Sequence, residues 1–153
     1  MAESSASGEK TVKYEYSMLV SFYEDVDIVH LLFLVLICEP QTTAMFGYMT
    51  DLCTVDIVRV EEITAEGDDM LGLLFHFLDE LLFLMCADPY FIVKEVEILQ
   101  FDRENFKIRA VGRGEEFDLS KHPQGTEVKA ITYSNMQIHD TEDKHEVYVI
   151  IDI

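Results

Sequence analysis

The sequence predicts an α+β domain: a mainly antiparallel sheet with two helices packed on one side. Three observations predict it. Apolar residues dominate from Met70 to Cys86, with the polar ones falling on a single helical stripe. Past Pro89 the period drops to two, with charged residues set between apolar ones. The connections between these later runs are too short for parallel crossovers, so neighbouring strands must pair antiparallel. The chain has 153 residues, 49% of them hydrophobic, which suits one core and excludes disorder along the whole length.

The elements follow in order. Met1 to Lys10 is small, polar and acidic, unlike the basic start of a signal peptide. A flexible tail over residues 1–12 and one domain over 13–153 are expected. Ile28 to Cys38 reads IVHLLFLVLIC, with His30 as its one polar residue. It is shorter than the roughly 18 residues a membrane helix needs, Asp27 and Glu39 flank it, and Pro40 stops it. A buried segment is expected there. A strand is predicted at Val55 to Ile63. Asp68 and Asp69 offer caps for the second helix, Met70 to Cys86, and Asp88-Pro89 ends it. Its polar stripe, Asp69, Gly72, His76, Asp79 and Glu80, is the face left for solvent or a site. Ile92, Val96 and Ile98 mark the next strand, and Asp102 to Asn105 a turn. Phe106, Ile108 and Ala110 mark another, followed by a predicted turn at Gly112-Arg113-Gly114 and a short strand at Phe117 and Leu119. Thr126 to Ile138 and Glu146 to Ile153 complete the set.

Charge narrows the function. With 30 acidic and 11 basic side chains the net charge is -19, which repels a polyanion and suits cations or basic protein surfaces. The bases that exist cluster late: Arg103, Lys107, Arg109, Arg113, Lys121 and Lys129. Lys107 and Arg109 share one face of a strand, either a local basic patch or an ordinary solvated sheet face. The three cysteines, Cys38, Cys53 and Cys86, form no C-x-x-C and no zinc-finger pattern. They are expected as small core hydrophobes of an intracellular protein.

Three constellations carry possible chemistry. His76, Asp79 and Glu80 share a helical face, which reads as a solvated stripe more than as a metal site. The loop Ser120-Lys121-His122-Pro123-Gln124-Gly125 holds a histidine that is either an acid or base or an incidental loop residue. No G-x-S-x-G and no phosphate-binding glycine loop accompanies it. At the C-terminus, Asp152 beside the carboxylate of Ile153 pairs two hard oxygen donors suited to Ca²⁺ or Mg²⁺. The alternative there is a frayed, solvated end.

Several stretches together resemble archease of the animal type. They are KYEY (Lys13–Tyr16), AMFGYMTD (Ala44–Asp51), GDDMLGLLFHFLDELLF (Gly67–Phe83), GEEFDLSKHPQGTEVKAITYS (Gly114–Ser134) and VIIDI (Val149–Ile153). The resemblance implies a non-enzymatic accessory protein of the GTP-dependent RNA-splicing ligase that joins tRNA exons, found in nucleus and cytoplasm. It implies that the chain promotes guanylylation and turnover of the ligase catalytic subunit, with no membrane and no sequence-specific nucleic acid as partner. It also implies Ca²⁺ held by an aspartate of an N-terminal D-H-T-A-D motif and by the final aspartate and isoleucine, here Asp152 and Ile153. The lysine of E-V-K-A matches Lys129 and the loop histidine matches His122, as contacts for the partner or for activation.

One segment departs from that pattern. Ser17 to Thr43 reads SMLVSFYEDVDIVHLLFLVLICEPQTT, and no D-H-T-A-D occurs anywhere. It reads as a divergent splice form, a retained intron piece or a mispredicted exon. Weakened Ca²⁺ binding and poor stimulation are expected in consequence. The competing readings are an impaired form that binds the ligase without activating it, and a stand-alone hydrolase using His122 and Asp152.

Overall fold

Asp69 starts the longest helix among the described residues as its sequence predicts: the carboxylate accepts the Gly72 N–H at 2.7 Å. The helix then runs Met70–Cys86 and closes where the Ala87 N–H donates to the Phe83 carbonyl at 2.9 Å. The computed structural model describes residues 44–141 and 144–153. In chain order these form α1 (Ala44–Met49), a 3-10 turn (Leu52–Thr54), β1 (Arg59–Glu66), α2 (Met70–Cys86), β2 (Phe91–Asp102), β3 (Lys107–Glu116), β4 (Ala130–Thr141) and β5 (Lys144–Asp152). The apolar run Ile28–Cys38 and the departing segment 17–43 lie outside the described residues, as does Cys38.

Every described strand pairing is antiparallel, in a three-stranded sheet ordered β1-β3-β2 and a two-stranded sheet β4-β5. Helix α2 packs on β1, β2 and β4, and α1 on β2. The result is the single α+β domain expected from the sequence, with two helices packed on one side. On α2, Leu73, Leu74, Phe77 and Leu81 are wholly buried, and Leu78, Leu82 and Met85 nearly so. That spacing of three and four residues makes one wide apolar stripe. Phe91, Ile92, Val93, Val96, Ile108 and Ala110 of β2 and β3 share its core. No helix among the described residues is long and apolar enough to cross a membrane.

Several boundaries differ from the sequence reading, and four of the differences have a clear physical cause. The strand expected at Val55–Ile63 starts at Arg59 and continues to Glu66, because Asp51 caps a 3-10 turn first and β3 offers partners as far as Lys107. Gly112-Arg113-Gly114 is no turn and lies inside β3. A Cβ on Gly114 would sit 1.8 Å from the Ile92 carbonyl oxygen, beside a register shift at Val93/Glu95 in β2. Glycine is there for close backbone approach at an irregular pairing. Phe117 and Leu119 form no strand; after one bond from the Phe117 N–H to the Tyr90 carbonyl at 2.7 Å the chain turns away. Finally, β4 begins at Ala130 and not at Thr126, since Gly125 and Thr126 donate to Met49 and Tyr48 at the end of α1.

Cys53 and Cys86 also depart from expectation. Both are free and exposed, one in the 3-10 turn and the other in the last turn of α2, where the core gives way to surface.

Phe77, wholly buried at the middle of α2, should cost about 3–5 kcal/mol when truncated to alanine. Urea unfolding of Phe77→Ala is expected to show a much lower midpoint; a loss below about 1 kcal/mol would mean that α2 is not central to the core.

Candidate functional site

The last strand brings the C-terminal residues to the beginning of β4. Ala130 pairs with Asp152, Ile131 with Ile151 and Thr132 with Ile150. The Lys129 N–H donates to the Asp152 carbonyl at 2.8 Å, and the Thr132 hydroxyl donates to the Ile150 carbonyl at 2.9 Å. Val128 is wholly buried and anchors the approach, while Lys129 is exposed and Asp152 and Ile153 are half-buried. Backbone pairing therefore holds three of the four candidate residues, Lys129, Asp152 and Ile153, at one edge.

His122 belongs to a different cluster. The Asp118 N–H donates to its Nδ1 at 2.9 Å, so that nitrogen carries no proton. Its Nε2 then carries the hydrogen and donates to Glu115 Oε1 at 3.0 Å. The imidazole is fully buried. In the chain alone the ring is closed to solvent and spends both nitrogens on the protein itself. It is not incidental, because it ties the loop to β3.

Glu115 is the residue that sequence reading missed. Its Oε1 accepts from the Asp56 N–H at 2.6 Å, from Lys121 Nζ at 2.6 Å and from His122 Nε2 at 3.0 Å. The Lys121 hydrogen bond chiefly, then the Asp56 amide, holds its carboxyl at about 2. Lys121 is in turn raised, by its bonds to Asp56 and Glu115. Two further ties close the loop: the Thr50 hydroxyl donates to the Pro123 carbonyl at 2.9 Å, and Gly125 packs against α1. A Cβ on Gly125 would fall 2.4 Å from the Tyr48 carbonyl oxygen, so only glycine permits that approach. Nothing local flags Glu115, because Asp56 is 59 residues away in sequence.

The basic patch does not form. Lys107 pairs with Glu66 at 3.1 Å, Arg109 with Glu62 at 2.9 Å, and Arg113 with Glu97. Neighbouring strands carry the acids that neutralise β3, giving the ordinary solvated sheet face. His76, Asp79 and Glu80 are all exposed, with His76 Nδ1 donating to the Glu66 carbonyl at 2.6 Å. Among the described residues no three His, Cys, Asp or Glu side chains gather where a metal ion could be held.

Comparison with known proteins gives a consistent result. A model of the Archease protein family (MTH1598/TM1083) matches residues 37–153. The chain is 61% identical over 115 residues to a protein of Danio rerio named "Protein archease", covering 75% of this chain and 70% of that one. It is 62% identical over 117 residues to "Protein archease-like" of Drosophila melanogaster, covering 75% of each. Among solved structures it is similar to the solution structure of Methanobacterium thermoautotrophicum protein 1598. The TM-score is 0.53 at 32% identity, over 72% of this chain and 78% of that one.

The Glu115 hub has a pH signature. Its folded pKa of about 2 lies below the ordinary 4.5, so its stabilisation is complete above pH 4.5 and is lost as pH falls towards 2. Glu115→Gln is expected to flatten the fall in thermal midpoint across that window. An identical slope in the variant and the parent would show that the hub contributes nothing to acid sensitivity.

Proposed function

Because the chain belongs to the archease protein family, we propose that it is a non-enzymatic accessory protein of a GTP-dependent tRNA-splicing RNA ligase. In this reading it promotes guanylylation and turnover of the ligase catalytic subunit, in nucleus and cytoplasm. The observation that carries the reading is the backbone bond from the Lys129 N–H to the Asp152 carbonyl, which ties exposed Lys129, at the entry to β4, to the end of β5. Residues placed on paired strands hold their positions better than residues on free loops. Lys129 is suited to meet a phosphate or a carboxylate on the ligase, and Asp152 a cation or a basic group there. The charge of -19 leaves RNA contact to the ligase.

The Ca²⁺ implied by the family resemblance does not find a full set of donors among the described residues. Asp152 and the Ile153 carboxylate supply oxygens from two adjacent residues, whereas Ca²⁺ takes six to eight. The D-H-T-A-D motif that would add another is missing from the sequence. We therefore propose weak Ca²⁺ affinity, and the action above is assigned to Lys129 and Asp152 themselves. Calorimetry is expected to show no micromolar Ca²⁺ binding; such binding, abolished in Asp152→Ala, would overturn this.

The missing motif also favours a second reading, in which the chain binds the ligase without activating it. A pull-down with the ligase catalytic subunit, run beside a guanylylation assay, separates the two. The accessory reading expects binding, with stimulation that drops at least several-fold in Lys129→Ala. Binding with no stimulation supports the second reading, and absence of both rejects each. Phosphatase or nuclease turnover by the purified chain alone would point instead to a hydrolase.

A further inference from the structure

Between the loop after β3 and the end of α2 lies an open groove of about 1250 Å³. We infer that this groove is a docking site for an apolar segment of the ligase subunit that carries Lys or Arg, an inference that rests on the accessory reading above. Met49, Met85 and Phe117 line it, and Val58, Tyr90 and Leu119 stand at its surface. Those last three are 73%, 53% and 71% exposed, and of the exposed large apolar groups among the described residues they are the ones gathered at this groove, Ile57, Val60, Phe83, Leu99 and Tyr133 lying outside it. Grouped exposed apolar side chains with a polar rim are the usual mark of a partner surface.

Charge selects the partner. The two cations lining the groove are already taken: Arg59 by Glu61 and Glu116, Lys121 by Asp56 and Glu115. Asp118 and Glu127, also in the lining, take part in none of the ion pairs among the described residues. The Asp118 carboxyl is held below its usual range by Ser120, so it stays ionised. Burial and, after it, the Glu127 charge push up the thiol of Cys86 in the same groove. The wall is thus apolar with uncompensated negative charge. A second copy would bring another charge of -19 and the same acids, and RNA would bring phosphates. Apolar anchors flanked by Lys or Arg complement both features.

Position ties the groove to the proposed working edge. Thr126 and Glu127 line it, buried Val128 follows, and Lys129 then bonds to Asp152. One side of the groove therefore adjoins the stretch of chain that leads to Lys129 and Asp152. Docking and action become consecutive parts of one surface.

Two native cysteines make the test. Cys86 lines the groove and Cys53 does not, and both are free and exposed. The full chain, alone and with the purified ligase catalytic subunit, is treated briefly with iodoacetamide and read by mass spectrometry. Labelling of Cys86 is expected to slow several-fold in the complex while that of Cys53 stays unchanged. Leu119→Glu and Glu127→Lys, both at exposed positions, should bind the ligase several-fold more weakly with unaltered thermal midpoints. Added salt should weaken the parent chain more than Glu127→Gln. If the parent does not bind the ligase at all, the accessory reading itself fails. If it binds while Cys86 stays reactive and Leu119→Glu binds equally well, the groove inference alone is overturned. Protection of Cys86 in the chain alone would assign the groove to this chain or a second copy, and would likewise overturn it.

Discussion

The structure depends on covering one helix. α2 presents apolar residues over so wide an arc that no single sheet can shield it, and burying that surface is the main favourable term in folding. The β1-β3-β2 sheet supplies β1 and β2 to it, and the β4-β5 sheet supplies β4. The two sheets are therefore positioned by what α2 needs to hide. Phe75 shows the same pressure at the edge of the arc, where it is only half-buried and stacks on Tyr133 of β4 at 4.2 Å. The end of α2 places Met85 and Cys86 under the loop that leads into β4, and that placement creates the groove.

A second, polar constraint shapes that groove from above. Glu115 gathers three donors on one oxygen, from the approach to β1, from Lys121 and from His122. A carboxylate satisfied this fully ties together segments that share no strand pairing at that point. His122 and Gly125 hold the same loop from within and from α1. The loop that carries Leu119 and leads to Lys129 thus has a fixed path. Its histidine holds that path through its bonds to Asp118 and Glu115.

Much of this was legible in the residues. Asp69, the spacing of Leu73, Leu74, Phe77 and Leu81, and Pro89 define α2 completely, because capping, amphipathicity and termination are all local effects. Asp102 to Asn105 is equally local: the Asp102 carboxylate accepts from the Glu104 and Asn105 amides at 3.1 and 3.0 Å. Gly112 and Gly114 misled, since glycine in a turn and glycine under a close backbone contact look alike in a sequence. The candidate basic patch misled for a related reason: Lys107 and Arg109 are visible, but the strand register that sets Glu66 and Glu62 beside them is not.

By itself the sequence determined the α+β class, the long helix, the acidic surface and the motifs that identify the family, because each is set by composition or by residues near one another in the chain. It also placed Asp152 and Lys129 among the residues to watch. Only the tertiary structure decided that these two are neighbours, that His122 is buried beside Glu115, and that Val58, Tyr90 and Leu119 border one groove with Asp118 and Glu127. Those facts come from pairings across long stretches of chain. Burial and register, which no local pattern specifies, create them.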